Sequence, residues 1–220
     1  MAKRKAQLTI NQLKKEAATF SAAESGHHEP NLYGVTDGKA VGTYLEHKFM
    51  SYLSRSYSFG IGNSASGIDF PGLQVDMKVT SIRQPQSSCP FKSARQKVFG
   101  LGYNLLIFVY EKTDDRKKHT ARLDIQHAIF VDSNRTADYQ MTTGILQILD
   151  NKGNEDDLVA FMQDKNLPVD DIGAKGIAQD ILKIRPLQGY LTISNALQWR
   201  LQYGRVIEQA GSVDGIVRVR

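Results

Sequence analysis

The run Asn104-Leu-Leu-Ile-Phe-Val-Tyr110 constrains the fold more than any other stretch of these 220 residues. It is continuously apolar, too short for a helix and rich in β-formers, which predicts a strand covered on both faces. The patterning around it alternates between helix and strand. Leu8, Leu13, Ala17 and Phe20 mark a helix over 7–23, and Val41, Leu45, Phe49, Tyr52 and Leu53 recur near 3.6 spacing over 39–55 behind an Asp37-Gly38 start. Extended segments are expected at 57–61, 67–70 and 73–80, separated by Gly, Asn, Ser and Pro. A polar stretch over 81–88 then leads to a helix over 91–101, the buried strand, and a further strand over 122–132.

A strand reached through a helical crossover normally lies parallel to its predecessor, so the central sheet is expected to be mixed. Helices are expected over 136–149, 155–165, 172–184 and 194–210, with 212–220 extended. The fold class is therefore α/β, a mixed central β-sheet flanked by helices with a largely helical C-terminal region. Asp150-Asn-Lys-Gly-Asn154 is the sharpest shift in composition. It places the expected boundary between a core with an N-terminal helical extension, 1–150, and a mainly helical subdomain, 151–220.

Charge narrows the partner class. The 28 Lys and Arg against 23 Asp and Glu give +5 and a pI near 9.2, the sign that suits a polyanion, so nucleic acid leads. The single cysteine, Cys89, excludes an intramolecular disulfide and a Cys-rich zinc site and favours a reducing compartment. No stretch reaches the ~20 apolar residues of a membrane span, and Met-Ala-Lys-Arg-Lys is followed by no apolar segment. A cytoplasmic protein without membrane partners is expected.

Acidic-x-Lys triplets occur at Asp37/Lys39, Glu46/Lys48, Asp76/Lys78, Asp115/Lys117 and Asp150/Lys152, so the triplet alone says little. Only Asp76-Met-Lys78 falls in a predicted strand, where alternation puts Asp76 and Lys78 on one face and Val75, Met77 and Val79 on the other. The Pro71-Gly72 turn can fold Asp69 back beside Asp76. Two hard carboxylates suit Mg2+, which polarises a scissile phosphate, and the amine can orient or help deprotonate a water. The same residues also admit a plain salt bridge, with Asp69 capping a turn.

In these residues and in the order of elements over 38–112, the chain resembles the PD-(D/E)XK nuclease superfamily, and type II restriction endonucleases within it. The family often has Pro before its first acid, whereas Ile68 precedes Asp69 here and the proline comes at 71. The resemblance implies that Asp69 and Asp76 hold Mg2+, with Mn2+ as a substitute, that Lys78 positions the water, and that Glu46 is an auxiliary acid in the metal shell. It also implies hydrolysis of double-stranded DNA at a specific sequence, leaving 5′-phosphates.

Contacts to DNA are expected from Arg83, Gln84, Gln86, Ser87, Ser88, Lys92 and Arg95, because Arg and Gln match guanine and adenine edges and Ser reaches the backbone. Arg200 and Arg205 are expected on a C-terminal recognition helix followed by a wing. A palindromic target would favour a homodimer. The competing readings are a structure-specific repair nuclease or junction resolvase on the same core, a non-catalytic DNA-binding module and, more weakly, an RNA-binding protein.

Overall fold

A computed structural model describes residues 5–62, 67–90, 92–194 and 198–220. In chain order its elements begin with β1 (Ala6–Gln7), α1 (Ile10–Ser25), β2 (His28–Glu29), α2 (Gly38–Ser54), β3 (Tyr57–Ser58) and β4 (Val75–Ser81). There follow β5 (Gln86–Pro90), α3 (Arg95–Phe99), β6 (Asn104–Asp115), β7 (Thr120–Val131), α4 (Tyr139–Asp150), α5 (Glu155–Asp164) and α6 (Asp171–Lys183). The chain ends with β8 (Thr192–Ile193), β9 (Gln198–Gln202), α7 (Gly204–Gln209) and β10 (Ile216–Arg218).

The chain divides into two compact units, Met1–Pro85 with Asn104–Val131 and Ala210–Arg220, and Gln86–Tyr103 with Asp132–Gln209. The division does not run at the expected 150/151 boundary, because strand pairing joins segments distant in sequence. β10 closes onto β7 in the first unit, and β9 pairs with β5 in the second.

The first unit holds the central sheet, ordered β10-β7-β6-β4, with β2 also on β7. β4 runs parallel to β6 and β7 antiparallel to it, so the sheet is mixed as expected. Leu105 to Val109 are fully buried, the double-sided burial that their unbroken apolar run demands. α1 begins at a capping box in which Thr9 and Gln12 satisfy each other's backbone N–H groups, and it packs on β7. α2 buries Val41, Leu45, Phe49 and Leu53, one face at four-residue spacing, and packs on β4. Phe20, Phe49 and Phe108 meet at ring-centroid distances of 5.0–6.1 Å in this core.

The three extended segments expected at 57–61, 67–70 and 73–80 do not pair in succession among the described residues. β3 is two residues long and pairs in parallel with β1, in a sheet of its own. The segment before Pro71 contributes only the antiparallel bridge Phe70–Val75. These stretches are too short and too broken by Gly and Pro to sustain a ladder.

In the second unit β5, β9 and β8 form a three-stranded antiparallel sheet, and α3 to α6 gather Val98, Met141, Ile145, Leu158, Met162, Ala178 and Ile181 into a separate core. Four expectations change. The polar stretch 81–88 ends in strand β5, and the crossover helix shrinks to α3, with Phe91 outside the described residues. The expected recognition helix 194–210 is instead strand β9 and the short α7, with 195–197 outside the described residues. In Trp199-Arg-Leu-Gln202 the buried and exposed residues alternate, and that period of two sets the local structure. The expected wing is β10, an edge strand of the central sheet. No described helix is long and apolar enough to cross a membrane.

Candidate active site

β4 is held at its start by β6, with Asp76 in register with Leu105 and Lys78 with Ile107. A tight turn of 3-10 geometry over Pro71–Leu73 precedes it and ends at Gln74 in the left-handed region, φ 52°. Asn104 fixes that turn by donating both its backbone N–H (2.8 Å) and its side-chain amide (3.1 Å) to the Gln74 carbonyl. The turn returns Asp69 to the strand, where Oδ2 accepts a 2.7 Å hydrogen bond from the Met77 N–H.

Upstream, Gly62 donates to the Asp69 carbonyl (2.9 Å). A Cβ at Gly62 would lie 1.7 Å from the Ile68 carbonyl oxygen, so only glycine allows this approach. Sequence reasoning missed both Gly62 and Asn104. Their signals, a glycine seven residues before the acid and a polar residue opening a buried strand, mean little until the turn is seen.

Asp76 is 4% exposed, a rare position for a carboxylate. Its Oδ2 lies 2.8 Å from Lys78 Nζ, the ion pair that compensates the buried charge. Burial first, then the hydrogen bond and charge of Asp69, push Asp76 up to about 7 against the opposing pull of Lys78. Glu46, half-buried on α2, is raised by burial and then by the charge of Asp69, with Lys78 and His47 pulling it down. Asp69, Asp76, Lys78 and Glu46 therefore act on one another electrostatically within one unit.

Among the described residues no group of three or more His, Cys, Asp or Glu is gathered closely enough to hold a metal ion. Mg2+ does not require one, because it keeps several waters and uses one or two carboxylates together with substrate phosphates. The buried Asp76 beside Asp69 fits such an ion, and a cation there would offset the cost of burying two neighbouring carboxylates.

The DNA-contact candidates fall into two groups. Arg83 and Gln84 are exposed in the turn after β4, in the first unit. Gln86, Ser87, Ser88, Lys92, Arg95, Arg200 and Arg205 belong to the second. Ser87 is hydrogen-bonded to the Tyr203 hydroxyl, and Arg95 is paired with Asp180. The Arg205 guanidinium lies 3.7 Å from the Tyr139 ring centroid and 3.4 Å from Thr192 Oγ1, whereas Lys92 and Arg200 are exposed.

The sequence profile of the family described as "Type II restriction enzyme NspV" matches residues 7–218. The curated protein "Type II restriction enzyme NspV" of Nostoc sp. (strain ATCC 29411 / PCC 7524) is 70% identical over 212 residues, covering 96% of each chain. No solved structure matches.

Proposed function

The chain belongs to the NspV family of type II restriction enzymes, and on that premise we propose that Asp69, Asp76, Lys78 and Glu46 are its cutting centre, acting with Mg2+ on duplex DNA. The observation that carries this reading is the buried Asp76, held beside Asp69 and paired with Lys78 at 2.8 Å on one strand face. A fold has little reason to retain such a carboxylate for stability alone.

Asp69 and Asp76 would hold the ion, with Glu46 supporting it and Mn2+ as a substitute. Bound there, Mg2+ supplies positive charge to a phosphate oxygen and acidity to a coordinated water. Lys78, the cation of the ion pair with Asp76, orients the attacking water from the same strand face, and the water's proton passes to solvent. The water oxygen bonds to phosphorus in line with the departing 3′ oxygen. As the phosphorus–oxygen bond breaks, the 3′ oxygen takes up a proton and the 5′-phosphate remains on the other fragment. The Met77 N–H fixes Asp69 in advance of the reaction.

Digestion of DNA of known sequence in Mg2+, with the ends mapped, tests reaction, metal and specificity together. Discrete fragments with 5′-phosphates are expected, and dependence on branched or damaged DNA would replace the restriction reading with a repair one. Asp76→Ala is expected to lower cleavage more than ~10³-fold while DNA binding in Ca2+ survives. Unchanged cutting by that variant would remove Asp76 from the chemistry. A palindromic recognition sequence would call for a twofold homodimer, which sedimentation reads directly.

A further inference from the structure

The second unit is electrically neutral, yet its charge is unevenly spread. Segments 86–103 and 192–205 contain Lys92, Arg95, Lys97, Arg200 and Arg205 and no Asp or Glu. Segment 132–191 contains 6 Lys and Arg against 10 Asp and Glu (6 − 10 = −4). The two acid-free segments supply all three strands of the β5-β9-β8 sheet.

Alternation sorts that sheet into two faces. Cys89, Ile193, Trp199 and Leu201 are buried on one, and Trp199 and Leu201 are fully so. On the other, Arg200 and Gln202 are exposed and Gln86, Ser88 and Thr192 half-buried. Register sets Gln86 and Thr192 on either side of Gln202, and Ser88 opposite Arg200. Directly opposed residues share a face, so the outer surface is a row of Gln86, Gln202 and Thr192 beside a row of Ser88 and Arg200. The Arg200 guanidinium and the Gln202 amide make no hydrogen bond or ion pair among the described residues.

Two residues along a strand advance about 6.8 Å, and successive base pairs rise about 3.4 Å, so the two rows match positions two base-pair steps apart. The major groove admits a two-stranded ribbon, in which Arg suits the paired acceptors of guanine and Gln the donor and acceptor of adenine. Duplex DNA is thus the occupant that matches the face in charge, spacing and hydrogen-bonding chemistry.

We propose that the β5–β9 ribbon is the base-reading surface of this protein, with Arg200 on a G·C pair and Gln86 and Gln202 on A·T pairs. The proposal takes its partner, duplex DNA, from the function proposed above. It adds Gln202 to the candidates. It also makes Arg95, engaged by Asp180 between two helices, and Arg205, engaged by Tyr139 and by Thr192 of the sheet, structural residues and not readers.

Selection of bound duplexes from a randomised DNA library, run in Ca2+ and again in EDTA and then sequenced, tests the ribbon without any cleavage. The unmodified chain is expected to enrich one motif. Arg200→Ala is expected to leave a G·C position of that motif degenerate, and Gln86→Ala or Gln202→Ala an A·T position, with preference at that position reduced about 10- to 100-fold. Arg200→Lys keeps the charge and loses the planar fork, so it is expected to relax the same position as Arg200→Ala. Unchanged thermal melting of each variant separates misreading from misfolding.

A motif kept whole in every variant overturns the proposal, as does the absence of any motif with the unmodified chain. A uniform loss of binding with the motif intact also overturns it, since that is the signature of phosphate contacts. If the variants shift the motif but Mg2+ supports no cutting, the ribbon stands and the cutting centre does not.

Discussion

In the unit built on the central sheet, 17 Lys and Arg meet 12 Asp and Glu (17 − 12 = +5), whereas in the other unit 11 meet 11 (11 − 11 = 0). The whole excess of the chain therefore sits in the unit that also gathers Glu46, Asp69, Asp76 and Lys78. Its polar chemistry is centred on the buried Asp76 and fixed by backbone: a Met77 N–H on Asp69, a Gln74 carbonyl gripped twice by Asn104, a glycine where a Cβ cannot fit. The polar residues of the β5–β9 face are exposed or half-buried and are placed by strand register. A buried centre suits a reaction that must be the same on every substrate. An accessible face, whose side chains can change without disturbing a core, suits recognition.

The contrast is open to attack first at Gly62. Gly62→Ala must shift Ile68 and with it Asp69, and a displacement near 1 Å at a reacting centre costs about 10²-fold. Cleavage kinetics should show that loss with the binding motif of the second unit untouched. Wild-type turnover would mean that the Asp69 position is not critical.

The second prediction concerns stability. Asp76, ordinarily 3.8, stands at about 7 in the fold because burial disfavours its charge, so the folded chain holds this proton more tightly than the unfolded one. The associated stability is fully present below about pH 3.8 and is lost as pH rises through about 7. Metal-free protein should therefore lose melting temperature across that window relative to Asp76→Asn, by about 2–4 °C for each kcal/mol. Parallel curves for the two proteins would show that Asp76 is not strained by its surroundings. No such dependence is expected from Arg200→Ala, whose site is exposed.

The smallest effect is expected on the acidic helices. Asp156 and Asp164 lie exposed on α5, so Asp156→Asn with Asp164→Asn should change DNA affinity less than about 3-fold in a titration at fixed salt. A larger gain would extend the DNA surface to α5 and dissolve the division between ribbon and helices.

Most of the helices were legible because their cores repeat at helical spacing. Those expected over 39–55, 155–165 and 172–184 match α2, α5 and α6 to within a residue or two, and the buried strand lies where its apolar run predicts. The geometry of Asp69, Asp76 and Lys78 was half legible. Alternation put Asp76 and Lys78 on one face and the Pro71-Gly72 turn returned Asp69, but nothing local announced Asn104 or Gly62.

The C-terminal stretch misled. Leu197, Leu201, Val206 and Ile207 suggest a helical stripe on paper, while Trp199 and Leu201 are buried as neighbours in a five-residue strand.

The amino-acid sequence alone determined which residue types could meet, since periodicity of burial and turn chemistry are properties of a few consecutive residues. Tertiary structure alone decided that β9 is a strand and that Gln86 faces Gln202. The hydrogen bonds of a strand are completed by another strand, here one more than a hundred residues away, and no short stretch of chain carries the identity of its partner.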